Sequence, residues 1–158
     1  MKTVSLFKLS NAQETLPFIT EEALATCKFT PCGSYDSRRI GFTQNIVDSL
    51  FVSDVMGFVT VTVKDQVKKP KKYSIDQLVE AKSLTYLNVV GKEPSTKEIK
   101  TFQIEAKEEL LPTTQPDEPK EYTIAIRKKD GLVIVEANYK KAEDLLAMIR
   151  KAIGSLPS

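Results

Sequence analysis

A chain of 158 residues, 41% hydrophobic and 28% charged, has the size and composition of one globular domain able to bury a single core. Its 23 basic and 21 acidic side chains leave a formal charge of +2, which excludes a surface uniformly coated for nucleic acid and confines any such contact to one face. The chain has no histidine, which removes Ser-His-Asp and Cys-His nucleophiles, zinc hydrolase sites and most proton relays near neutral pH.

In chain order, residues 3–9 alternate Val4 and Leu6 against Ser5 and Phe7 and predict a short strand. Thr15, Leu16 and Pro17 open a predicted helix to about Cys27, since proline is tolerated in a first helical turn. Pro31, Cys32, Gly33 and Ser34 predict a turn. Arg39 to Thr43 reads as a strand. So does Gly57 to Lys64, with Val59, Val61 and Val63 on one face and Phe58, Thr60 and Thr62 on the other.

The charge pattern then changes. Lys64 to Lys72 holds five lysines against one aspartate. Ser74 and Gln77 have capping-box spacing and predict a helix bearing Ile75, Leu78, Val79, Leu84 and Leu87 on one face, ended by Gly91. Ser95 and Glu98 repeat the spacing and open a second helix, with Ile99, Phe102, Ala106 and Leu110 inward and Pro112 as its stop. A polar, proline-rich linker runs to Pro119. Tyr122, Ile124 and Ile126 alternate along a strand, Asp130-Gly131 signals a hairpin turn, and residues 132–135 return. A last helix carries Ala142, Leu145, Leu146, Ile149, Ala152 and Ile153 as its apolar stripe, with Gly154 as cap. The expected fold is α+β: an antiparallel sheet with packed helices, in which residues 1–64 and 122–158 form the core and residues 65–121 are an inserted helical hairpin.

No apolar run approaches the roughly 20 residues that cross a bilayer, and the first residues lack the apolar centre of a secretion signal, so a cytosolic protein is expected. Cys27 and Cys32 then read as reduced, half-buried thiols. Glu80-Ala81-Lys82 and Glu105-Ala106-Lys107 match a triplet used by Mg²⁺ nucleases, but both fall in predicted helices, where they read as solvated faces. No enzyme, metal or cofactor is expected.

The chemistry visible in the residues is cationic. Lysines that meet phosphates release counterions and give affinity indifferent to base sequence; lysines also keep a sheet edge from pairing. Lys68, Lys69, Lys71 and Lys72 are the first candidates for phosphate contact. Lys128 and Lys129 beside the hairpin turn follow, then Lys97 and Lys100 on the second inserted helix. Arg38-Arg39 forms another basic cluster. Lys140 and Lys141 open the last helix, where cations oppose the macrodipole, which hints at another use for them. Tyr35, Tyr73 and Tyr139 lie near basic residues without forming a stacking ladder.

Three stretches carry a family resemblance: Phe29-Thr30-Pro31-Cys32-Gly33-Ser34 with Asp36 and Gly41-Phe42; Glu80-Ala81-Lys82 and Leu110-Leu111-Pro112; and Gly131-Leu132 through Lys140-Lys141-Ala142-Glu143-Asp144 to Gly154-Ser155-Leu156-Pro157. In this order and spacing the chain resembles the amino-terminal half of the RdgC family of bacterial recombination-associated proteins. The resemblance implies binding of double-stranded DNA, ring-forming homodimers that hinder the RecA recombinase, and a nucleoid location. It departs at Thr113, Thr114, Gln115 and Pro116, where the family places a basic residue and an aromatic at a dimer contact. The family's basic tip is thinned to Lys92, Lys97 and Lys100, and the family continues for about as long again, so a fragment or shortened relative is expected. The alternative is a protein-interaction module that binds a recombination or defence protein or a full-length family member.

Overall fold

In a computed structural model of the chain, residues 3–9 and 12–154 are described. They gather into two compact units. One comprises the chain up to Thr30, Ile40–Asp65 and everything from Pro119; the other comprises Pro31–Arg39 and Gln66–Glu118. The class is α+β.

The first unit is built on a six-stranded sheet. Its strands are β1 (Ser5–Lys8), β2 (Arg38–Thr43), β3 (Val52–Val55), β4 (Phe58–Val67), β5 (Lys120–Arg127) and β6 (Leu132–Val135). The order is β1-β6-β5-β4-β2, with β3 also paired to β4. Period-two alternation sets the register. Val59 faces Ile126 and Val61 faces Ile124, while Ile124 and Ile126 face Val135 and Val133 on β6. All six are buried, so each cross-strand row delivers its apolar side chains to one face. That face is covered by α5 (Tyr139–Ala152), which buries Ala142, Leu145 and Ile149, and by α2 (Glu21–Ala25), which buries Leu24.

Two glycines are fixed by close approach. A Cβ on Gly41 would stand 2.5 Å from the Phe29 nitrogen, and the Phe29 N–H donates to the Phe42 carbonyl at 2.8 Å. Gly131 has φ +74°, and a Cβ there would meet the Leu9 carbonyl at 2.6 Å. Both lie in the stretches that carry the family resemblance. Ser155, Leu156 and Pro157 of the same resemblance lie outside the described residues.

Three local expectations need correction. The helix from Thr15 to Cys27 is broken into α1 (Ala12–Thr15), a 3-10 turn at Leu16–Phe18 and α2. Pro17 supplies no N–H there, and Thr20 starts the chain afresh by accepting the Ala23 N–H on its hydroxyl at 3.2 Å. Strand β3 carries no clean alternation and is unexpected. It returns into β4 through Met56-Gly57, a two-residue hairpin with φ +52° and +83°, unusual because methionine holds the first left-handed position. The predicted strand at Gly57 to Lys64 also runs on to Val67, so part of the lysine-rich stretch is sheet.

The second unit is dominated by α3 (Lys72–Val90) and α4 (Thr96–Leu110), which pack on each other. Ser95 and Glu98 form the expected capping box, and Gly91 closes α3 with φ +84°. The Ser74 box does not form: the α3 N-cap is Lys71, three residues earlier, and the Gln77 amide donates to the Tyr73 hydroxyl at 2.8 Å instead. The pair is tied by Lys82, which reaches Glu105 at 3.3 Å and Glu109 at 2.8 Å, and by edge-on packing of Tyr86 and Phe102, centroids 6.1 Å apart. Its core is thin. No α3 residue is fully buried, Ala106 is the one buried on α4, and Leu84 is largely exposed rather than inward.

Candidate nucleic-acid interface

The lysine-rich stretch divides into residues used inward and residues left outward. Gln66 and Lys68, on and just beyond the end of β4, are buried although both are polar. Gln66 accepts the Cys32 N–H at 2.9 Å and donates to the Asp117 carbonyl at 2.9 Å. The Lys68 ammonium donates to the Gly33 and Ser34 carbonyls, both at 3.0 Å, and its backbone N–H donates to Ser37 O at 2.8 Å. These bonds fold the Pro31–Arg39 loop onto the helical unit. Lys68, the first lysine of the candidate set, is 4% exposed and therefore organises the loop rather than presenting a charge to solvent.

Lys69, Lys71 and Lys72 do the opposite. All three are exposed, and among the described residues none makes a salt bridge. They surround the start of α3, whose first turn holds no acidic residue and whose N-cap, Lys71, provides no side-chain hydrogen bond. A 19-residue helix thus begins with N–H groups that no side chain caps and with cations where anions are favoured. Lys69 and Lys72 line an open groove of about 660 Å³ together with Lys107 of α4 and an apolar floor of Pro70, Ile75 and Leu111; Glu108 is the one acid in the lining. Sequence spacing concealed Lys107, which joins the groove only because α4 packs on α3.

The other candidates are dispersed. Lys97 and Lys100 are exposed on the first turns of α4. Lys128 and Lys129 lie in the β5–β6 hairpin of the sheet unit, where Lys128 pairs with Asp54 and Lys129 is exposed. In the same turn Arg127 donates to Asp130 at 2.8 Å and holds that carboxyl well below the usual carboxylate range. Arg39 donates to Asp36 at 2.9 Å; the Gly33 N–H and then Arg39 lower the Asp36 carboxyl. Lys141 answers the hint about the last helix. It forms a salt bridge with buried Asp65 and sits 5.1 Å from the Tyr122 ring centroid, while Asn138, a cap not anticipated, accepts the Lys141 N–H at 2.8 Å. Tyr35, Tyr73 and Tyr139 are all exposed, and Tyr139 also stacks on Phe7 at 5.2 Å.

Both Glu-Ala-Lys triplets lie within helices, and Lys82 of the first pairs with Glu105 of the second. Among the described residues no group of three or more Cys, Asp or Glu is placed to hold a metal ion. Cys27 and Cys32 are free and half-buried. No helix among the described residues is long and apolar enough to cross a membrane.

A family model described as "Putative exonuclease, RdgC" matches residues 1–158. The recombination-associated protein RdgC of Aeromonas hydrophila is 27% identical over 159 residues, covering 99% of this chain and 52% of the relative. Those of Sodalis glossinidius and Pseudoalteromonas atlantica are 30% identical over 162 residues and 29% over 161, with the same coverage of both chains. The chain thus spans about half the length of the curated relatives it matches.

Proposed function

The chain belongs to the RdgC family, and from that premise we propose that it binds double-stranded DNA through backbone phosphates, without reading bases, as part of recombination control. One observation carries the reading: Lys69, Lys71 and Lys72 stand exposed around an α3 N-terminus that no side chain caps. Helix N–H groups and unpaired ammonium groups at one place make an anion site, and a phosphate oxygen satisfies both. Lys107 adds a fourth cation across the groove, and Lys97 and Lys100 on the same unit offer a second set of phosphate contacts. Lys68 serves by holding the loop, and Lys129 is the freer cation of its hairpin. The reading requires no bond to be broken. The lysine of the Glu80 triplet is engaged by Glu105 and Glu109, which suits a helix-to-helix tie better than a reaction centre.

The test is fluorescence anisotropy with two duplexes of unrelated sequence and equal length. Affinities within about threefold of each other, both weakening with added salt, are expected when phosphate contacts dominate. A preference of about a hundredfold for one sequence, the size of base-specific readout, would overturn the reading.

A further inference from the structure

Phosphate contact leaves the floor of the groove unused. Pro70, Ile75 and Leu111 present apolar surface between Lys69, Lys72 and Lys107, and hydrated phosphates gain nothing from covering it. A groove volume of about 660 Å³ also falls in the range of pockets that take a side chain or small ligand rather than a convex DNA ridge. We propose that this groove docks an acidic peptide segment that seats an apolar side chain on the floor while its carboxylates meet the surrounding lysines.

Charge complementarity selects this occupant. The rim is cationic apart from Glu108, and the α3 N–H groups at its edge accept a carboxylate as readily as a phosphate. A basic or neutral segment would leave the lysines unanswered. A purely acidic one would leave the floor wet. Peptide and duplex therefore compete for Lys69 and Lys72. The inference rests on the phosphate reading for that competition alone, and a partner carrying such a segment would displace DNA.

The experiment uses the whole chain and two labelled peptides, Glu-Asp-Glu-Leu-Phe-Glu-Asp-Glu and the same sequence with Ser-Ser at the centre. Both carry equal charge, so the difference reports the floor alone. The Leu-Phe peptide is expected to bind about tenfold or more tightly. Ile75→Asn and, separately, Leu111→Asn, which remove apolar surface without adding charge, are expected to erase that preference while leaving duplex affinity within about threefold. Equal binding of the two peptides, or no binding of either at low salt, overturns the proposal. Both titrations use the unaltered chain, so this outcome does not depend on a variant folding. Unlabelled Leu-Phe peptide should release labelled duplex; a ternary complex would overturn the shared site. Duplex titrated alone reports on the phosphate reading separately, so its failure leaves the peptide comparison standing.

Discussion

The two units put part of their positive charge to different use. In the sheet unit Lys128 pairs with Asp54, Arg127 with Asp130, Lys64 with Glu121 and Lys141 with Asp65, so these four cations serve the fold while Lys129 stays exposed. In the helical unit Lys82 is tied between α4 carboxylates and Lys68 is buried, yet Lys69, Lys71 and Lys72 beside them have no carboxylate partner among the described residues. Overall charge conceals this contrast. A chain of net +2 can still hold one locally cationic site, because its charges are unevenly distributed along the sequence.

The contrast can be broken most forcefully at Asp65. Its side chain and that of Lys141 are 7% and 19% exposed, so Asp65→Asn strands an ammonium in a poorly hydrated place. A loss of about 3 kcal/mol in urea denaturation is expected, largely recovered by pairing Asp65→Leu with Lys141→Met. A loss below about 1 kcal/mol would mean that the pair is screened like any surface bridge. Lys68→Ala comes next. Removing a buried stem and two hydrogen bonds should cost about 2 kcal/mol, whereas Lys71→Ala should stay within about 0.5 kcal/mol. Equal effects at the two positions would erase the inward–outward distinction.

A pH experiment sharpens the sheet side. Asp130 titrates well below its unfolded value because Arg127 hydrogen-bonds its charged form. Its contribution is therefore fully present above the unfolded carboxylate value of about 4 and is lost as pH falls through the folded value. Asp130→Asn should flatten the acid limb of a stability–pH curve while changing little between pH 6 and 8. An unchanged acid limb would remove Arg127 as the cause. The smallest effect is expected at Met56, where φ is +52°. Asn tolerates that conformation and suits the first position of such a hairpin, so Met56→Asn should raise the thermal midpoint, with a gain of about 0.5–1 kcal/mol.

These cases show what the sequence made legible. Alternating valines announced β4, Asp130-Gly131 the β5–β6 hairpin, and the apolar stripe of α5 its buried face, because each is a short-range pattern that local chemistry sets. Strand β3 gave no such sign. Its turn uses methionine where asparagine or glycine is the usual signal, and the Phe51 and Val52 N–H groups are answered by the distant Glu21 carboxylate at 2.9 and 2.6 Å. The lysine run was legible as charge but not as geometry. Nothing local distinguishes Lys68 from Lys69; burial does, and burial depends on the loop that Gln66 and Lys68 gather. Lys107 entered the candidate site from 35 residues beyond Lys72 through helix packing, which no spacing rule along the chain foresees.

The most direct measurement is the salt dependence of duplex affinity for two charge reversals, Lys69→Glu/Lys71→Glu/Lys72→Glu and Lys128→Glu/Lys129→Glu. Each phosphate contact contributes about 0.9 to the slope of log affinity against log salt, so the first variant should lose about 2–3 of that slope and the second no more than about 1. An unchanged slope in the first variant, or a larger loss in the second, would contradict the placement of duplex binding on the exposed lysines around α3.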